Sequence, residues 1–170
     1  AASIEGLSLS SPDDAVRERA VERIRAHMRL ARNFGAVVIV GSLRGKQGDA
    51  DLLVESLRAC ASSDPDTRLA LEALNRYESS LACNIADALA LLERVGMDNV
   101  GVHFDTFHAN IEEPSLPEAL RTASERLFHV HLADSNRWVP GFGHLAFGEV
   151  LRTLQEIGYA GSLVVEALPR

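Results

Sequence analysis

What constrains this chain most is a regular alternation along its length: short β-branched or apolar runs, each followed by a longer stretch with helical spacing. The clearest helix opens near Ser11, which can cap it. Pro12 suits the first helical position, and Asp13 and Asp14 favour the positive end of the helix dipole. Val16, Ala20, Ile24, Met28 and Ala31 then form one apolar stripe, and Gly35 ends it. Ala36 to Val40 reads as a strand closing in the turn Gly41 to Gly45, and Asp51 to Cys60 as the next helix. Further strands are expected at Arg68 to Glu72, Asn99 to Asp105, Leu127 to Ala133 and Ser162 to Glu166. Helices are expected at Ser80 to Val95, about Leu116 to Ser124, and Phe147 to Ile157, with an acidic loop between Asp105 and Leu116. Gly6 to Leu9 finishes one more strand ahead of the first helix.

Strands that alternate regularly with helices build βαβ units and a parallel sheet. No GxGxxG follows a first strand and no Walker-type loop occurs, so the open nucleotide-binding folds lose their support. The fold class expected is α/β, a (β/α)8 TIM barrel. A complete barrel runs to about 250 residues, whereas this chain has 170 and shows about six strands. The reading is therefore a single domain over residues 1–170, the C-terminal three quarters of a barrel lacking about the first two βα units. Such an open barrel exposes unpaired strand edges, so the chain alone is expected to pair with another copy or aggregate.

An apolar content of 46% suffices for a core. No apolar run reaches the roughly 18 residues of a membrane span, and Ala1-Ala2-Ser3-Ile4-Glu5 lacks the order of a signal peptide; a soluble, cytoplasmic protein is expected. Cys60 and Cys83 make no CxxC pair and read as ordinary helix cysteines. A net charge of -7 gives no attraction for a phosphate backbone. Small molecules, not nucleic acid or membrane, are the expected partners.

In a parallel barrel, functional groups collect at the C-terminal ends of the strands. Glu78 follows the strand counted as fifth, Asp105 ends the sixth, His131 lies near the end of the seventh and Glu166 ends the eighth. The separations Glu78 to Asp105, Asp105 to His131 and His131 to Glu166 are 27, 26 and 35 residues, each close to one βα repeat. Parity agrees, because His103 shares a face with Asp105, His129 with His131, and Val164 with Glu166. Three carboxylates and one imidazole make an oxygen-rich ligand set suited to Mn²⁺ or Mg²⁺, with Co²⁺ acceptable. Glu72 is expected deeper in the barrel, Glu112 in a lid, and His103 and His129 in core or supporting roles beneath the site.

Three stretches carry a resemblance: Leu74-Asn75-Arg76-Tyr77-Glu78, the run from Asp105 to Glu113, and the run from His129 to Arg137, together with the terminal Val-Val-Glu. They resemble the xylose isomerase-like barrels, and within these the sugar phosphate isomerase/epimerase group that includes ketose 3-epimerases and hydroxypyruvate isomerases. The resemblance implies Glu78, Asp105, His131 and Glu166 as metal ligands, and His108 and Arg137 as groups that hold substrate oxygens.

Epimerisation beside a carbonyl removes a carbon-bound proton and returns one to the opposite face. Glu78 and Glu166, three strands apart, are expected to be that acid–base pair, with a divalent metal stabilising the enediolate. The substrate expected is a sugar or sugar phosphate, and a homo-oligomer is expected because related barrels commonly pair. Alternative activities are an aldose–ketose or hydroxypyruvate isomerase, a polyol-ketone dehydratase, or an abasic-site endonuclease-like barrel.

Overall fold

The computed structural model describes residues 5–168. Residues 1–4 and 169–170 lie outside the described residues, and with them the two ends of the expected domain and the opening Ala1 to Ile4. Five parallel strands form one sheet in chain order: β1 (Val38–Val40), β2 (Leu69–Glu72), β3 (Val100–Asp105), β4 (Leu127–Leu132) and β5 (Leu163–Val165). Each strand pairs in parallel with the next, as βαβ alternation requires. The crossovers are α1 (Asp14–Arg32) ahead of β1, then α2 (Ala50–Ser63), α3 (Ile85–Val95), α4 (Thr106–Glu112), α5 (Leu116–Ala123) and α6 (Phe147–Glu156). The result is an incomplete barrel, as the alternation implies.

Side-chain caps set most helix starts. Asp13, rather than Ser11, caps α1 by accepting from the N–H groups of Ala15 and Val16; Asp49, Asn84 and Ser115 do the same for α2, α3 and α5. The stripe Ala20, Ile24, Met28 and Ala31 is buried as its spacing predicts. It joins Leu53, Leu57, Leu69, Leu71, Ile85, Leu92, Phe104 and Val130 in one core. Each fully buried aliphatic side chain of this kind contributes about 1.5–3 kcal/mol.

Three expectations change. The acidic stretch after Asp105 is not a loop but the helix α4, because Asp105 itself caps it by accepting from Phe107 N–H. The helix expected from Ser80 begins at Ile85, so Cys83 lies in the preceding loop. Gly6 to Leu9 is not a strand, although Leu9 is fully buried and its N–H donates to Leu43 O at 2.9 Å. A register shift between Val102 and His103 sets the pairing that matters most: His103 lies opposite His129, and Asp105 opposite His131.

Candidate metal centre at the strand ends

The strand register sorts the inward side chains into layers. Glu72, His103 and His129 share one row; Asp105, His131 and Val164 share the row above it. Glu166 follows β5, and its N–H extends the ladder to Leu132 O at 3.2 Å. Thr106 locks the two central strand ends together, donating its hydroxyl to Ala133 O at 2.7 Å and accepting from Ala133 N–H at 2.9 Å. Asp105 and His131 are thereby held side by side.

Glu72, Asp105, His131 and Glu166 each offer one ligand atom, and these atoms all lie within 4.8 Å of one another. Glu72 thus occupies the place that the sequence reading gives to Glu78. Its row is lower, but the longer glutamate side chain reaches up to the level of Asp105. Gly41 makes room for it, since a Cβ there would lie closer than 3.0 Å to Glu72 Oε2. Glu78 sits in the turn beyond β2, with its N–H on Asn75 O at 3.0 Å. Its half-exposed carboxylate accepts from Asn75 Nδ2 at 3.4 Å and stands 3.9 Å from His108 Nδ1. It belongs to the rim, over His108, and not to the cluster.

Arg137 spans the cluster from the opposite side. Its Nη1 donates to Asp105 Oδ2 at 3.1 Å, its Nη2 to Glu166 Oε2 at 2.5 Å, and its guanidinium lies 4.7 Å over the Phe107 ring. The loop that presents Arg137 is folded around the buried Asp134, whose carboxylate accepts from the N–H groups of Ser135 and Gly141, each at 2.8 Å, and of Leu145 at 3.2 Å. Burial opposes ionisation of Asp134, but these donors and Gly143 N–H outweigh it and pull the carboxyl down to about 2. His108, from α4, is buried, and Asn75 N–H donates to its Nδ1 at 3.3 Å. Its Nε2 lies 3.7 Å from Glu72 Oε1 and is hydrogen-bonded to Arg137 Nη1 at 3.2 Å. Burial, then the charges of Arg137 and Arg44, depress His108 to about 3, so it stays uncharged.

The same crowding works on the acids. Burial, and then the nearby Asp105 charge, push Glu72 up to about 8; burial raises Asp105 to about 6 despite the Arg137 guanidinium. Burial lowers His131, so its imidazole is neutral and offers a lone pair. Three carboxylates with one imidazole are the donors that Mn²⁺ or Mg²⁺ prefers. The residues present therefore fit a divalent cation.

Reading strand ends from sequence picked out Asp105, His131 and Glu166, which the structure brings together with Arg137 and His108 close by. It passed over Glu72, although Glu72 is the last residue of β2 as Asp105 is of β3. It also passed over Arg44, a fully buried guanidinium whose Nη1 donates to Leu81 O at 2.8 Å and Ala82 O at 3.2 Å, binding the loop after β2 to the turn after β1. The visible signal for Arg44 was only a charge in a Gly-flanked turn.

Comparison with known proteins agrees with this geometry. An L-ribulose 3-epimerase of Mesorhizobium japonicum is 34% identical over 170 residues, covering 94% of this chain and 57% of that protein. A D-psicose 3-epimerase of Enterocloster bolteae is 39% identical over 123 residues, covering 71% of this chain and 41% of that protein. The crystal structure of D-psicose 3-epimerase with D-tagatose from Clostridium cellulolyticum H10 superposes with a TM-score of 0.86 at 34% identity, over 96% of this chain and 61% of that one. The chain thus spans about half the length of the curated relatives it matches. No helix among the described residues is long and apolar enough to cross a membrane. The model of the xylose isomerase-like TIM barrel family matches residues 2–170, and with five parallel strands gathering their acids and imidazole at one rim, the chain belongs to that family.

Proposed function

We propose that this chain carries the catalytic face of a metal-dependent ketose 3-epimerase acting on a free ketose. The observation that carries the reading is the cluster of Glu72, Asp105, His131 and Glu166, with two of its carboxylates coming from β2 and from the end of β5, three strands apart. These four residues would hold the ion. A divalent cation held there would supply Lewis-acid stabilisation of the negative charge that develops beside the carbonyl, a contribution of several kcal/mol.

The remaining work falls to side chains. Glu72 and Glu166 face each other across the cluster and form the acid–base pair: one takes the proton from the carbon beside the carbonyl, and the other returns a proton to the opposite face. The reversal of configuration follows from their opposed placement. Arg137 already bridges Asp105 and Glu166 and supplies fixed positive charge where negative charge develops. His108, uncharged, holds a substrate oxygen, and Glu78 at the rim contacts the sugar hydroxyls. The names of the relatives, D-psicose and L-ribulose 3-epimerases, support a ketose substrate and carbon 3 as the reacting centre.

The test is incubation of the protein with Mn²⁺ and a panel of ketoses in D₂O. Deuterium is expected at carbon 3 of both epimers, and Glu72→Gln and Glu166→Gln are each expected to abolish it. Exchange only at carbon 1, or elimination to an ultraviolet-absorbing product, would overturn the reading in favour of an aldose–ketose isomerase or a dehydratase.

A further inference from the structure

Beneath the cluster lies a histidine that the proposed reaction does not use. His103, on β3, is completely buried, and among the described residues neither of its ring nitrogens has a hydrogen-bond partner. An imidazole in that state has given up its water contacts without replacement, which is rare for a core histidine. Its Nδ1 lies 3.7 Å from Glu72 Oε1, and its ring meets His131 edge-on at a centroid distance of 4.1 Å. Glu72, His103 and His131 each offer one ligand atom, all within 4.8 Å of one another.

The chemistry of this inner triad differs from that of the outer four. Two imidazoles and one carboxylate form the open three-ligand set of tetrahedral zinc sites, whereas the outer set is dominated by oxygen and suits harder ions. The two sets share Glu72 and His131, and a cation seated on one draws ligands from the other. We propose that Glu72, His103 and His131 form an inner position for Zn²⁺, and that filling it excludes Mn²⁺ from the outer set. The exclusion rests on the outer set being the Mn²⁺ site; the zinc position itself does not.

The experiment uses metal-stripped protein. Zn²⁺ affinity is measured against a chromophoric chelator, and bound Mn²⁺ from the electron paramagnetic resonance of the free ion. Wild-type protein is expected to bind one Zn²⁺ and to release Mn²⁺ as it does so. His103→Leu is expected to weaken Zn²⁺ on the order of 100-fold while leaving Mn²⁺ affinity unchanged. Co²⁺ added to the wild type is expected to give the intense visible bands of a four-coordinate ion, a readout that does not depend on whether the variant folds. Equal Zn²⁺ affinity in wild type and His103→Leu, simultaneous binding of both ions, no Zn²⁺ binding, or only the weak bands of six-coordinate Co²⁺ would each overturn the proposal. Zn²⁺ bound through His103 by a protein that takes up no Mn²⁺ would instead leave the inner position standing and remove the outer one.

Discussion

Replacing Gly41 by alanine tests the assignment of Glu72 without touching any ligand. A Cβ at residue 41 would stand closer than 3.0 Å to Glu72 Oε2, with Cδ of the same side chain next at 3.7 Å. The backbone cannot retreat easily, because Gly41 O accepts from Arg44 N–H at 3.0 Å and from Arg44 Nε at 3.4 Å, and Arg44 is itself buried. Glu72 must therefore swing away by about 1 Å, and misplacement on that scale costs about 100-fold in a catalytic step, or about 2.7 kcal/mol. Mn²⁺ affinity should fall by about 10- to 100-fold, the usual effect of disturbing the support of a ligand. The assay is a Mn²⁺ titration followed by paramagnetic resonance, paired with deuterium exchange at carbon 3 and a thermal melt to confirm folding. A folded Gly41→Ala protein with wild-type Mn²⁺ affinity and exchange rate would refute the placement of Glu72 at the metal.

Other expectations follow from the same geometry. Glu72→Gln should abolish measurable Mn²⁺ binding, whereas Glu78→Gln should leave it within about 2-fold and act on KM; the reverse pattern in isothermal titration would restore Glu78 as the ligand. Because Glu72 is pushed up to about 8 and Asp105 to about 6, Mn²⁺ must displace a proton from Glu72 at neutral pH and from both near pH 6, so affinity should rise from pH 6 to 8. Titrations in buffers of different ionisation enthalpy would reveal the released protons, and a pH-independent affinity would contradict the raised values. The sign for stability is opposite: a carboxyl whose folded value is raised from 4.5 to about 8 contributes stability at low pH that is lost as pH climbs through 8. Metal-free protein should thus melt lower at pH 8 than at pH 6, and Mn²⁺ should reverse the order. Asp134→Asn removes a charged acceptor from several backbone N–H groups and should lower stability by about 2 kcal/mol. It should raise KM through a loosened Arg137 while sparing Mn²⁺ affinity; equal losses in both would indicate general unfolding.

The alternation of strands and helices, the α1 stripe and the strand-end positions of Asp105, His131 and Glu166 were legible because each depends on local period and polarity. The acidic stretch after Asp105 misled because its helix rests on one cap: Asp105 serves α4 through Oδ1 while its Oδ2 meets Arg137, a double use that no pattern announces. Glu72 was passed over for a different reason. Spacing does not separate the two, since Glu78 and Glu72 lie 27 and 33 residues ahead of Asp105, and spacing along the chain ignores the path of the backbone after β2. There the chain turns back on itself through Asn75, leaving Glu78 at the rim and the last strand residue inside. His103 offered no signal beyond parity, since lacking a partner is a property of three-dimensional surroundings.

β5 consists of three residues, Leu163, Val164 and Val165, each 40% or more exposed, and among the described residues its ladder partner is β4. Glu166 lies immediately beyond it, so one cation ligand depends on a short, exposed strand. An ion that binds only when all four strands are in place would act as a bolt through this margin, adding its binding free energy to the retention of β5 by linkage. Amide exchange along Leu163 to Glu166 should therefore slow more on Mn²⁺ addition than anywhere in β2 or β3, making protection at this one edge a direct gauge of occupancy.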